Sequence, residues 1–341
     1  MNLSRLLRRY LCLGSLAILP WMAQPGLASN LNQQLNIQPN NPPQGRSRQA
    51  AEEWMQLGNQ QAASGQLEEA VLSWAEAAEI YRFLGDTRAQ GQAYSAMAIA
   101  YISLGEYPQA EPALNRRIAA ARESNDLLGV IFGLNNLGSL YLNQGRLNEG
   151  QAKFEEALVL ARPTRNPQAI GLSLSNLGLV ATEAGDLDKA VKLLEVAANY
   201  RLQAGDTLGY AHTSNNLGDV YLALGRENNA IGAYRVALAE GEKAADANIS
   251  LRALDGLLTI YFGRDQMDIA KTYLDLRVAL TPNTAAPNRQ TAVTLRWLGD
   301  YYFALGDYPR ALEAYHRGLA IARSLAIPSL QVEFNNRLLQ F

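Results

Sequence analysis

Cysteine is nearly missing from this chain of 341 residues: Cys12 is the single thiol, so no intrachain disulfide can form. Histidine is almost as scarce, with His212 and His316 about one hundred residues apart. Neither has a His, Cys or carboxylate partner at metal-ligand spacing such as His-x-x-x-His, so a metal centre is not expected. Walker loops, dinucleotide fingerprints and serpentine Ser elbows are lacking, which removes the common nucleotide and hydrolase chemistries. Acid pairs such as Glu52-Glu53, Glu68-Glu69 and Glu155-Glu156 fall near helix starts, where they suit the helix dipole. Lysine is scarce beside arginine, and basic charge is not in excess: 30 Lys and Arg face 32 Asp and Glu. The first 28 residues hold Arg5, Arg8 and Arg9 and no acid, so the remainder carries about −5. That balance argues against a nucleic-acid surface or an anionic-membrane surface.

Long apolar runs are missing too, except near the N-terminus. Arg5, Arg8 and Arg9 precede an apolar core from Tyr10 to Leu19, then Pro20 and the small-residue stretch Gly26-Leu27-Ala28. This is the pattern of an export signal over residues 1–28. The apolar stretch to Ala23 is about 14 residues, short of the roughly 20 that span a bilayer, so cleavage is favoured over a membrane anchor. The expected destination is the periplasm, with a thylakoid lumen or an anchored, periplasm-facing form as alternatives. Residues 29–48, rich in Asn, Gln and Pro, read as a flexible linker.

What the chain does have is a period of 40. Gly65, Gly105, Gly145, Gly185 and Gly225 form one series; Ala70, Ala110, Ala190, Ala230 and Ala270 form another. Leu57, Met97, Leu137, Leu177, Leu217 and Leu257 form a third, with Gly58, Ala98, Gly138, Gly178 and Gly218 beside them. The seventh copy slips by one residue to Leu298, Gly299, Gly306 and Ala311. A fixed period of this size is the mark of a solenoid, in which each unit buries its apolar face only against its neighbours. Within a copy, Leu134, Leu137, Gly138 and Tyr141 share one helical face. A turn at Asn143-Gln144-Gly145-Arg146 follows, and Leu147, Phe154, Ala157 and Leu158 face back from a second helix.

These residues resemble the tetratricopeptide repeat. The first copy shows Trp54, Leu57, Gly58, Gly65, Leu67, Ala70, Trp74 and Ala77, and the third Leu137, Gly138, Tyr141, Gly145, Phe154 and Ala157. The last shows Leu298, Gly299, Tyr302, Gly306, Tyr308, Ala311 and Tyr315. The usual repeat is 34 residues; the longer unit resembles the branch of LGN/Pins-type adaptors and, more loosely, kinesin light chains. The resemblance implies an all-α, right-handed solenoid over residues 49–328, with repeats starting near 51, 91, 131, 171, 211, 251 and 292, and a capping helix over 329–341. Departures fall in the second copy (Leu114, Arg117), the third (Gly150) and the sixth (Leu258, Asp265). The proline-bearing stretch Thr281–Pro287 is expected to bend or loosen the array near 281–290.

Function is then expected on the outward positions of the first helix of each repeat. Asn135-Asn136, Ser175-Asn176 and Asn215-Asn216 stand just before three successive Leu-Gly pairs. Asparagine is a middling-to-poor helix former, so propensity does not account for it. A carboxamide offers donors and an acceptor that match the main chain of an extended peptide. In the related adaptors such Asn line the peptide groove, and the resemblance implies the same for Asn136, Asn176 and Asn216. Hydrogen bonding between neighbouring repeats, or plain solvation, are the other readings. Phe132, Leu172, Leu179, Leu222 and Phe262 are candidate apolar linings or ordinary core, and His212, Asp219, Arg252, Asp255 and Arg296 a candidate charged subsite. A chaperone-type carboxylate clamp fails in the first copies: Asn59 fits, but Met55 and Ala96 replace its Lys and Asn. The expectation is a non-catalytic scaffold for a protein or peptide partner, with no cofactor, metal, nucleic acid or small-molecule substrate. The alternative is an exported assembly factor for a membrane complex, of the photosystem II type, with a metal-delivering version of it; it rests on fold and export alone.

Overall fold

The computed structural model describes residues 43–281 and 288–341; the expected export signal and residues 29–42 of the expected linker lie outside them, as does most of the proline-bearing stretch, while residues 43–48 of that linker are helical. Fifteen helices and no strand occur among the described residues. None of those helices is long and apolar enough to cross a membrane. They group into two compact units, one ending at Asp206 and one running Thr207–Phe341.

The first unit holds four helix pairs: α1 (Pro43–Ala63) with α2 (Leu67–Leu84), α3 (Thr87–Ser103) with α4 (Tyr107–Glu123), α5 (Leu127–Asn143) with α6 (Leu147–Thr164), and α7 (Pro167–Glu183) with α8 (Leu187–Gln203). Helix α1 starts ahead of Gln49, where the apolar pattern becomes regular. The second unit holds α9 (Thr207–Ala223) with α10 (Glu227–Lys243), α11 (Ala247–Gly263) with α12 (Met267–Leu280), and α13 (Arg289–Ala304) with α14 (Tyr308–Ser324), closed by α15 (Pro328–Leu338). The first helix of each pair is called A and the second B.

Helix ends follow a rule of 20 residues. Asp86, Asp126, Asn166, Asp186, Asp246 and Asp307 each cap a helix by accepting a backbone N–H of its first turn. Turns between A and B close on a left-handed residue, and Asp265 adopts it (φ 55°) where the other copies have glycine. The expected departure at Asp265 is therefore one of residue type and not of turn geometry.

The Leu-Gly pair positions the B helix. A Cβ added to Gly138 would sit 2.5 Å from the ring of Phe154, and one on Gly218 would sit 2.4 Å from Tyr234. The missing side chain lets the B-helix ring lie flat across helix A. Gly178 meets Leu194 in the same way, and where A carries Leu258 or Ala98 the B helix also presents a buried leucine, Leu274 or Leu114.

Arg277 occupies the place held by Ala77, Ala157, Ala197 and Ala237, and like them it is fully buried. Its guanidinium donates to Asp255 on α11 (Nε to Oδ1, 2.8 Å) and to Thr294 on α13 (Nη1 to Oγ1, 2.9 Å). A fully buried arginine paired with a half-buried carboxylate thus holds α12 against its neighbours, beside the stretch expected to loosen the array. At the far end, Leu330 and Phe334 of α15 are both fully buried, the cap the apolar face of α14 requires.

Candidate functional site: the A-helix faces

In the first unit α5 and α7 lie side by side and their carboxamides meet. Asn135 Nδ2 donates to Ile131 O of its own helix (2.9 Å) and to Ser173 Oγ of α7 (3.0 Å). Asn176 Nδ2 donates to Asn135 Oδ1 at 2.9 Å. Both Asn are 1% exposed. Ser175 is buried, its hydroxyl donating to Gly171 O at 2.8 Å. Asn136 is half-buried and open on the A face.

The second unit replaces this neutral ladder with a charged one. Asn215 is fully buried and donates to Ile249 O of α11 at 3.1 Å. Asn216, also buried, accepts from Arg252 Nη2 at 2.8 Å, and the same nitrogen reaches Asp219 Oδ2 at 2.6 Å. The hydroxyl of Tyr234 donates to Asp219 Oδ1 at 2.6 Å. Burial, then the Asp219 charge, push the Tyr234 phenol well above its ordinary value, so it stays a donor. Next along the face, Asp255 accepts from Trp297 Nε1 at 2.6 Å besides Arg277. Arg296 lies 4.2 Å above the Trp297 ring and 3.6 Å from Asp300.

Of the residues singled out from sequence, the structure therefore joins Asn135 with Asn176, and Asn216 with Asp219 and Arg252. Asn135, Asn176, Asn215 and Asn216 are buried in these contacts between repeats and Ser175 is buried against its own helix; Asn136, Asp219 and Arg252 keep open edges. Leu172 and Leu179 are core residues at 3% exposure, whereas Phe132, Leu222 and Phe262 are half-buried and reach the A face. His212 is half-buried on α9. Asn59 accepts from Trp74 Nε1 at 3.1 Å and is held within its own repeat. Sequence reasoning missed Ser173 and Tyr234. Ser173 stands 40 residues from both Gly133 and Thr213, a small-residue register that was readable.

These groups are paired charges and amides on a fixed backbone. Among the described residues, no three His, Cys, Asp or Glu side chains come together as a metal set. The arrangement can present hydrogen-bonding edges at fixed spacing, held rigid from beneath by its own network.

Models of the tetratricopeptide repeat match residues 131–203, 292–325 and 91–116. Among solved structures, the STAND protein with a tetratricopeptide repeat sensor from Pyrococcus horikoshii superposes with a TM-score of 0.64 at 15% identity, over 84% of this chain and 46% of that one. A Rap protein complexed with competence and sporulation factor superposes with a TM-score of 0.54 at 14% identity, over 81% of this chain and 76% of that one. Both likenesses concern the fold. The regulatory protein AfsR of Streptomyces coelicolor is 28% identical over 133 residues, 39% of this chain and 13% of that protein's length. With these three matched stretches falling on A and B helices of the described residues, the chain carries tetratricopeptide repeats.

Proposed function

We propose that this protein is a non-catalytic scaffold that binds an extended segment of a partner polypeptide against its A-helix faces. The observation that carries this reading is the pairing of open polar edges with a buried network beneath them. Asp219 and Arg252 have side chains 16% and 20% exposed, yet each is fixed by a bond to the other and to Tyr234 or Asn216. Side chains already ordered lose little further entropy when a peptide binds. Leu222, half-buried on α9 beside them, supplies an apolar contact that backbone hydrogen bonds alone cannot replace, and Phe132 offers another on α5 of the first unit. The Rap structure complexed with a factor agrees with a binding role for this kind of fold. The proposal includes export: residues 1–28 have the pattern of an export signal, and the partner is sought in the periplasm or an equivalent exported compartment.

Site-specific photo-crosslinking tests the reading. A photoreactive residue at Asn136 or Leu222 is expected to capture one partner polypeptide from the exported fraction, through a short segment identified by mass spectrometry. The same probe at Leu72, exposed on the B helix α2, is expected to capture none of it. Capture at Leu72 and not at Asn136 or Leu222 would move the binding surface to the B helices and overturn the proposal.

A further inference from the structure

A cleft in the first unit opens between α7 and α8. It measures about 740 Å³ and is floored by Ile170 and Leu174 of α7, with Val196 on the wall. The end of α6 and the turn after it contribute Arg162 and Arg165, and α8 contributes Lys192. No Asp or Glu lines it. All three cations are exposed, and none belongs to an ion pair among the described residues. In a chain with more acids than bases, three unpaired cations around one apolar floor form a local field of the opposite sign.

The shape restricts the occupant. On α8 the lining runs from Lys192 through Val196 to Gln203, three helical turns or roughly 16 Å. A trough of that length with an apolar floor and basic rims matches an amphipathic helix in a groove. We infer that this cleft is a second docking site, taking an acidic amphipathic segment of a partner protein with its apolar stripe on Ile170, Leu174 and Val196 and its carboxylates on Arg162, Arg165 and Lys192. The site is independent of the A-helix reading, and each can fail without the other.

Fluorescence anisotropy on the full chain tests it with a fluorescein-labelled peptide of repeating Glu-Leu-Leu-Glu units. Saturable binding is expected, about tenfold tighter than for the matched Lys-Leu-Leu-Lys peptide. The double variant R162E/K192E is expected to weaken it by at least about tenfold, with unchanged helicity because both side chains are exposed and unpaired. V196D, altering the wall and none of the cations, is expected to weaken it as well. Three outcomes would overturn the inference: no saturable binding of the acidic peptide, equal binding of both peptides, or binding untouched by charge reversal. Dodecanoate binding more tightly than the acidic peptide would also overturn it, in favour of a free amphiphile.

Discussion

Asn176 and Asn136 occupy the same position in adjacent repeats, yet one is buried against Asn135 and the other is open. Their removal should therefore differ. Asn176→Ala leaves Asn135 Oδ1 buried without its donor, a loss of about 1–3 kcal/mol. Asn136→Ala, at a half-buried site with no such bond, should stay within about 0.5 kcal/mol. Urea unfolding followed by circular dichroism measures both, and equal losses would contradict the assignment of a structural role to Asn176 alone. The asparagines were legible in the sequence as a register, but not the division of labour between them. Neighbouring residues on a helix point about 100° apart, so a period of 40 says that Asn135 and Asn136 recur together without saying which one meets the next repeat. The answer depends on how α7 lies on α5, where Ser173 of α7 comes within reach of the Asn135 amide.

Between elements, the contact with the clearest pH signature is Glu111 of α4. It accepts from the Tyr141 hydroxyl of α5 and from Arg146 Nη1 in the turn before α6, both at 2.8 Å. The Arg146 bond holds the Glu111 carboxyl below its ordinary value of 4.5, outweighing partial burial. Tyr141 is pushed up to about 12, by burial first and then by Glu111, so it remains a donor throughout the neutral range. A carboxylate with a depressed folded value stabilises above 4.5, and that contribution disappears as pH falls through the lowered value. Glu111→Gln should thus cost about 1 kcal/mol near neutrality. The gap from the parent protein should narrow as pH falls below 4.5 and through the lowered Glu111 value. Melting temperatures of the two proteins from neutral pH to pH 3 check this, and a gap that stays constant would exclude the charge as its source. At this scale the helices were plain in the sequence, because Leu-Gly pairs recur in five of the seven copies and a left-handed turn residue closes each A helix. Arg277 was not. In sequence it has the look of a surface charge on a helix, and only Asp255 and Thr294, brought in from two other helices, make its burial tolerable.

A repeat array has no single core, so its stability depends on what closes its ends. In the unit running Thr207–Phe341 that closure is α15. Phe334 fills the space beside Gly318, where a Cβ would approach the ring to 2.2 Å, and Leu330 is buried with it. Arg337 clasps Asp300 through Nε at 2.5 Å and Nη2 at 3.0 Å, and Tyr315 donates to the same carboxylate at 2.8 Å. Beyond the helix, the Phe341 ring meets Phe303 and Tyr308 edge-on, at 5.3 Å and 5.8 Å between centroids. Deleting residues 328–341 removes two fully buried apolar side chains, about 3–6 kcal/mol of burial, and takes Arg337 from Asp300. In a solenoid that loss stays near the cut and spreads inward with distance. Hydrogen exchange on the truncated chain should therefore show α13 and α14 losing protection first, while α9 and α10 of the same unit keep most of theirs. Unchanged protection in α14 would mean that the last repeat is self-sufficient and that α15 has some other task. Uniform loss across α9 to α14 would mean that the unit folds as one cooperative block and not as stacked repeats.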